Sequence, residues 1–228
     1  MSKPILMAAL LLTSSLIAPS VAAFAQNANP VPDKPAAPAT ASVYKSDLGF
    51  TYGYSADWEL IDSKPLTPVA QQKAAENAKS DEEKKGAACA QIGLMLKHGD
   101  PASIIMTVSL PYDCYGSAFT DADLPGFGTG VSSGLKQNFN VGDSKTASYK
   151  SGTHNLWVER SLATAKADPT QKYTIETVCS MLKKAATCWI GMVKDDAALK
   201  VLEQSQVTLE SDAPTALVPA DALTGAKP

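Results

Sequence analysis

The chain has only two histidines in 228 residues and no Cys-x-x-Cys pair, so it lacks the ligand spacing of a zinc site or a thiol redox centre. Basic residues are not in excess: 20 Lys and Arg stand against 23 Asp and Glu, for a net charge of −3. A nucleic-acid partner, which asks for a basic patch, is therefore not expected. No serine or cysteine stands with a histidine in a nucleophile motif. The run Gly126-x-Gly128-x-Gly130 has neither a Rossmann strand before it nor the lysine of a phosphate loop. These gaps leave no catalytic residue, metal ligand or cofactor to assign, and an enzyme is the less favoured reading.

The apolar run Ile5 to Ile17 is shorter than the ~20 residues that span a bilayer. It follows Lys3 and leads to Ala23-Phe24-Ala25, which fits an A-x-A cleavage site, so residues 1–25 are expected to be a secretory signal peptide rather than a stable membrane anchor. The stretch 26–42, QNANPVPDKPAAPATAS, is rich in proline and alanine and reads as an extended linker. Residues 211–228, similar in composition, read as a disordered tail. Between them, 43–210 has the length of one domain. The expected location is periplasmic or extracellular, in a bacterium.

All four cysteines lie in the part that would be exported, where disulfides persist. The stretch Tyr173 to Val193 reads as two strands around Lys183-Lys184. Centring the turn there sets Met181 against Ala186, Cys179 against Cys188, Thr177 against Ile190 and Ile175 against Met192. Facing Cα atoms in such a pair lie roughly 4.5–5.5 Å apart, within reach of a disulfide. That face is mostly apolar, whereas Thr174, Glu176, Ser180 and Thr187 point the other way, so a sheet with one face on a core is expected. Four cysteines allow three pairings. With Cys179 bonded to Cys188, the second bridge joins Cys89 to Cys114 across another hairpin, Ala88 to Lys97 and Ser103 to Leu110. Each bridge is worth roughly 2.5–3.5 kcal/mol in the chain-entropy model.

Elsewhere, Val43 to Tyr54 reads as a strand, a turn at Asp47-Leu48-Gly49 and a strand with Phe50, Tyr52 and Tyr54 on one face. Thr67 to Lys85 reads as a helix capped by Thr67. Leu124, Phe127, Val131, Leu135 and Phe139 recur at helical spacing and should lie against the sheet. Strands at Ala147 to Lys150 and Asn155 to Thr164 complete a meander, followed by a helix from Asp195 to Ser205 and a short strand at Val207 to Leu209.

Leu48-Gly49-Phe50, the aromatic strand and the turn Tyr54-Ser55-Ala56-Asp57-Trp58, followed by a meander and a terminal helix, resemble the PsbP/Mog1-like superfamily. The second half also resembles uncharacterised exported bacterial proteins. The resemblance implies an α+β fold, an antiparallel β-meander packed with helices as an α/β/α sandwich. It also implies an accessory or binding module rather than a reaction.

Candidate ligand contacts are Arg160, on the more apolar face of its strand, and Tyr52 and Tyr54 as a stacking surface. Core packing is the plainer reading of the tyrosines, and an ion pair that of Arg160. His154, Glu159 and Arg160 form the one cluster resembling catalytic chemistry, but Glu159 and Arg160 point to opposite sides. The expectation is an exported non-enzymatic accessory or binding module of the cell envelope, with an envelope protein, glycan or small ligand as partner. The alternative is a secreted, hydrolase-like enzyme whose site has no recognisable motif.

Overall fold

Two antiparallel sheets share the chain between them in a computed structural model that describes residues 42–224. The elements run β1 (Ser42–Lys45), β2 (Phe50–Tyr54), β3 (Glu59–Leu60), α1 (Leu66–Glu76), α2 (Asp81–Cys89), β4 (Gln91–His98), β5 (Ser103–Pro111), α3 (Tyr112–Tyr115) and α4 (Leu124–Leu135). They continue with β6 (Phe139–Ser151), β7 (His154–Ala165), β8 (Lys172–Met181), β9 (Ala185–Val193), α5 (Asp196–Gln204), β10 (Gln206–Leu209) and β11 (Thr215–Ala216). The large sheet has the order β3-β4-β5-β9-β8-β7-β6 and the small one β1-β2-β10-β11. This is the α+β class, with the meander β6 to β9 running from the edge of the large sheet to its centre.

The β8–β9 hairpin carries the register read from the sequence, with Cys179 opposite Cys188 and Ile175 opposite Met192. Both disulfides are formed, Cys179–Cys188 with its Cα atoms 4.0 Å apart and Cys89–Cys114 at 5.6 Å. The hairpin is not half-solvated, however: every residue of β9 is buried, because both faces of the large sheet are covered at this strand. On one face lie α1 to α4, over Ile175, Cys179, Cys188 and Ile190. On the other lie the small sheet and α5, over Val178 and Trp189. Polar hydroxyls of that second face bond within the protein: Ser109 with Thr187 at 2.9 Å, and Ser180 donating to the Asn155 carbonyl at 3.0 Å.

Other expectations are corrected locally. The segment Thr67 to Lys85 is two helices, because Ser80 starts a new one by accepting from the Glu83 N–H at 3.1 Å. Thr67 caps nothing; its hydroxyl accepts from the Ile92 N–H at 3.2 Å, tying α1 to β4. Between Ile92 and Met95 a bulge shifts the register, so Ile92 faces the helices while Leu94 and Leu96 face the small sheet. Phe139 begins β6 rather than ending α4. Helix α4 lies tight on the sheet, since a Cβ at Gly128 would come within 2.2 Å of the Trp157 ring.

Residues 211–224 are not a loose tail. The strap pairs Thr215 with Val207, receives the Tyr149 hydroxyl on the Leu217 carbonyl at 2.6 Å, and buries Leu217 and Val218 in the core. Burying two such side chains contributes roughly 1.5–3 kcal/mol each, enough to hold a segment with little intrinsic structure. The expected signal peptide and most of the linker, and residues 225–228, lie outside the described residues.

Candidate functional site

Three turns and the strap converge at one end of the large sheet and wall a cleft of ≈ 520 Å³. The β6–β7 turn brings Thr153 and His154, and the β8–β9 turn brings Leu182 and Lys183. The segment ahead of α4 brings Phe119, Thr120 and Asp121, and the end of β10 brings Glu210, Ser211 and Asp212. Loops at the end of a rigid sheet can vary without disturbing the core, which is why sites concentrate there.

Local geometry dictates who reaches the cleft. Gly152 has φ 58° in the β6–β7 turn, and a Cβ there would meet Asp212 Oδ2 at 2.3 Å. Only glycine lets the strap come this close. Asp212 then accepts from the Thr153 N–H at 2.8 Å and from the Thr153 hydroxyl at 3.0 Å, while its Oδ2 lies 3.0 Å from His154 Nδ1. On its far side, His154 Nε2 lies 3.7 Å from Glu210 Oε2. Glu210 in turn accepts from the Lys183 N–H at 2.5 Å and pairs with Lys183 Nζ at 2.9 Å. Asp121 accepts from the Asn155 side-chain amide.

These bonds set the charges. The Thr153 N–H, followed by His154, holds the Asp212 carboxyl below its ordinary value against a small opposing effect of burial. Burial pulls Glu210 upward, but the side-chain and backbone hydrogen bonds and the charge of Lys183 outweigh it, and this carboxyl too sits low. Both are therefore carboxylates at neutral pH, acceptors held by the sheet rather than proton donors.

The cleft has no nucleophile poised on a base. His154 Nδ1 is taken by Asp212, and the nearby Thr153 hydroxyl, 3.4 Å from that same nitrogen, is turned to the Asp212 carboxylate. Among the described residues no group of His, Cys, Asp and Glu is arranged to hold a metal ion. What the cleft offers is fixed acceptors, one exposed ammonium, and an apolar part made by Phe119, Met181 and Leu182. That is the make-up of a recognition surface.

The residues singled out from sequence lie elsewhere. Tyr52 is wholly buried between the sheets and has no surface on which a ligand could stack; Tyr54 is half-buried and packs against the same core. Arg160 reaches into the layer between the large sheet and α5, where its Nε donates to Glu176 Oε2 at 2.6 Å and its Nη2 pairs with Glu203. Glu176 is fully buried, and burial pushes its carboxyl up to about 7 against the pull of Arg160. This is an ion cluster inside the fold, the plainer of the two readings of Arg160. Glu159 points to the helical face, away from Arg160. Of the sequence candidates, only His154 reaches the cleft, and its partners Asp212 and Glu210 went unread because the last segment resembles a linker in composition.

No family model matches the chain, and no curated protein matches it. Among solved structures, it is similar to the solution structure of cyanobacterial PsbP (CyanoP) from Synechocystis sp. PCC 6803. The TM-score is 0.40 and the identity 9%, over 77% of this chain and 97% of that one.

Proposed function

We propose that this protein is an exported, non-enzymatic accessory or binding module of the cell envelope, and that the cleft beside His154 takes its ligand. One observation carries the reading: every ionisable group brought into the cleft by the strap is already paired, so the site is built to hold a shape and a charge pattern rather than to move protons. Two disulfides support an oxidising compartment. The ligand is an envelope protein segment, a glycan or a small molecule. Asp121, Glu210 and Asp212 outnumber Lys183 and His154, so neutral or cationic groups suit the cleft better than anions.

The test is affinity capture from the native envelope with the mature protein and with a cleft-blocked variant, Ser211→Trp. Recovery of a protein, glycan or small molecule by the first and not by the second is the expected result. Equal recovery by both, or by neither, removes the proposal.

The 3.0 Å contact between His154 and Asp212 favours the second reading, a hydrolase-like enzyme. Hydrolysis of an ester or glycoside by the mature protein, abolished by His154→Ala with folding intact, would establish it.

A further inference from the structure

On the helical face of the large sheet, away from the cleft, the C-terminal half of α4 spans β7 and β8 without closing on them. A cavity of ≈ 10 Å³ remains, lined among others by Ser132 of α4, Glu159 of β7 and Thr177 of β8. All three aim a buried polar atom that has no hydrogen-bond partner in the protein: Ser132 Oγ, Glu159 Oε2 and Thr177 Oγ1. Thr177 as a whole is 1% exposed. Buried polar atoms are nearly always paired, so three orphans around one small space is a pattern that calls for a common partner.

The size and the chemistry of the space both select that partner. A cavity of about 10–15 Å³ holds one water and nothing larger. The Glu159 carboxylate can only accept, whereas each hydroxyl can donate or accept. A water that donates to Glu159 and to one hydroxyl, and accepts from the other, satisfies all three and makes the usual ~3 bonds of a buried water. A metal cation fits less well, because Glu159 is the one carboxylate among the residues lining this space and Lys136 lines it too.

We propose that this cavity is a binding site for a single ordered water molecule, which ties α4 to β7 and β8 through Ser132, Glu159 and Thr177. The tie matters because α4 carries four glycines, Gly126, Gly128, Gly130 and Gly134, and has little helical stability of its own. The short 3₁₀ turn Asp121–Asp123 runs straight into this helix, so holding α4 also holds Asp121 at the cleft.

A crystal structure of the mature protein at atomic resolution tests the site. One density peak is expected within about 2.5–3.0 Å of all three oxygens. No peak, or a Ser132 hydroxyl turned onto Glu159 directly, overturns the proposal; so does a peak that gains electrons when crystals are soaked in thallium, which marks a cation. Thr177→Val keeps the side chain's shape and removes its hydroxyl. In solution, water-oxygen relaxation dispersion should show one long-lived internal water in the wild type that is lost or exchanges at least tenfold faster in Thr177→Val. An unchanged residence time in that variant also overturns the proposal.

Discussion

The protein holds two ionic clusters, one built around a carboxyl that water does not reach and one lining a cleft. Arg160 and Glu203, both partly exposed, close over the wholly buried Glu176 between the large sheet and α5, whereas His154, Asp212, Glu210 and Lys183 line the cleft. Both join distant parts of the chain with similar chemistry. In the first, removing one partner strands a charge that solvent cannot reach; in the second, water takes the vacated place. The cluster around Glu176 therefore belongs to stability, and the one at the cleft can change at less cost to the fold.

The contrast is tested most severely by Arg160→Ala, which leaves Glu176 without its cation. A loss of about 3–5 kcal/mol in denaturant unfolding is expected. A loss below ~1 kcal/mol would mean that the cluster is effectively solvated. The paired replacement Arg160→Met with Glu176→Gln should recover most of that loss, since the buried position is then neutral and Glu203, which also loses its cation, is partly exposed.

Acidity separates the clusters next. With its folded value raised to about 7 from 4.5, Glu176 holds a proton in the native state that the unfolded chain has released. Stability should therefore fall as pH rises from 4.5 through about 7, by an amount on the order of 3 kcal/mol. Glu176→Gln should flatten that slope in unfolding midpoints measured across the range. Asp212 has the opposite sign: its lowered value gives a contribution fully present above 3.8 and lost as pH falls through the folded value. A wild-type profile without the decline between 4.5 and 7 would show that Glu176 is not desolvated as described.

His154→Ala should leave the unfolding midpoint close to that of the wild type, because Asp212 keeps its bonds to Thr153 and Glu210 its bonds to Lys183 when the imidazole is gone. Amide exchange in residues 211–216 should nevertheless quicken, since the strap loses one of its anchors. A global loss comparable to that of Arg160→Ala would erase the distinction. The smallest effect is expected from Leu162→Thr. This residue shares Arg160's face two positions on but is 72% exposed, and its replacement should change stability by no more than about 0.5 kcal/mol.

Much of the large sheet was legible. Period-two alternation and the cysteine spacing give the β8–β9 register residue by residue, and Asp195 caps α5 as its position implies, accepting from the Ala198 N–H at 2.8 Å. The second layer was harder to see, because Glu176, Ser180 and Thr187 look like a wet face when their partners Arg160, Asn155 and Ser109 are distant in sequence. A signal existed in Val178 and Trp189, apolar residues on that supposedly solvated side. The helix break was written in Ser80-Asp81-Glu82-Glu83, a serine followed three residues later by glutamate. The cleft was barely legible, since proline and alanine in the last segment hide Asp212, and nothing local marks the turn at Gly152 as its docking place.

The small sheet also sets an order of events. Tyr52 of β2 pairs with Val207 of β10, whereas the strands of the meander pair with neighbours along the chain. Closing so long a loop is entropically slow, so the meander should assemble first and the second core last. A chain emerging from its N-terminus keeps Phe50 and Tyr52 uncovered until almost its whole length is available. The protein therefore withholds the enclosure of Phe50 and Tyr52, and with it the second core, until its last strands exist.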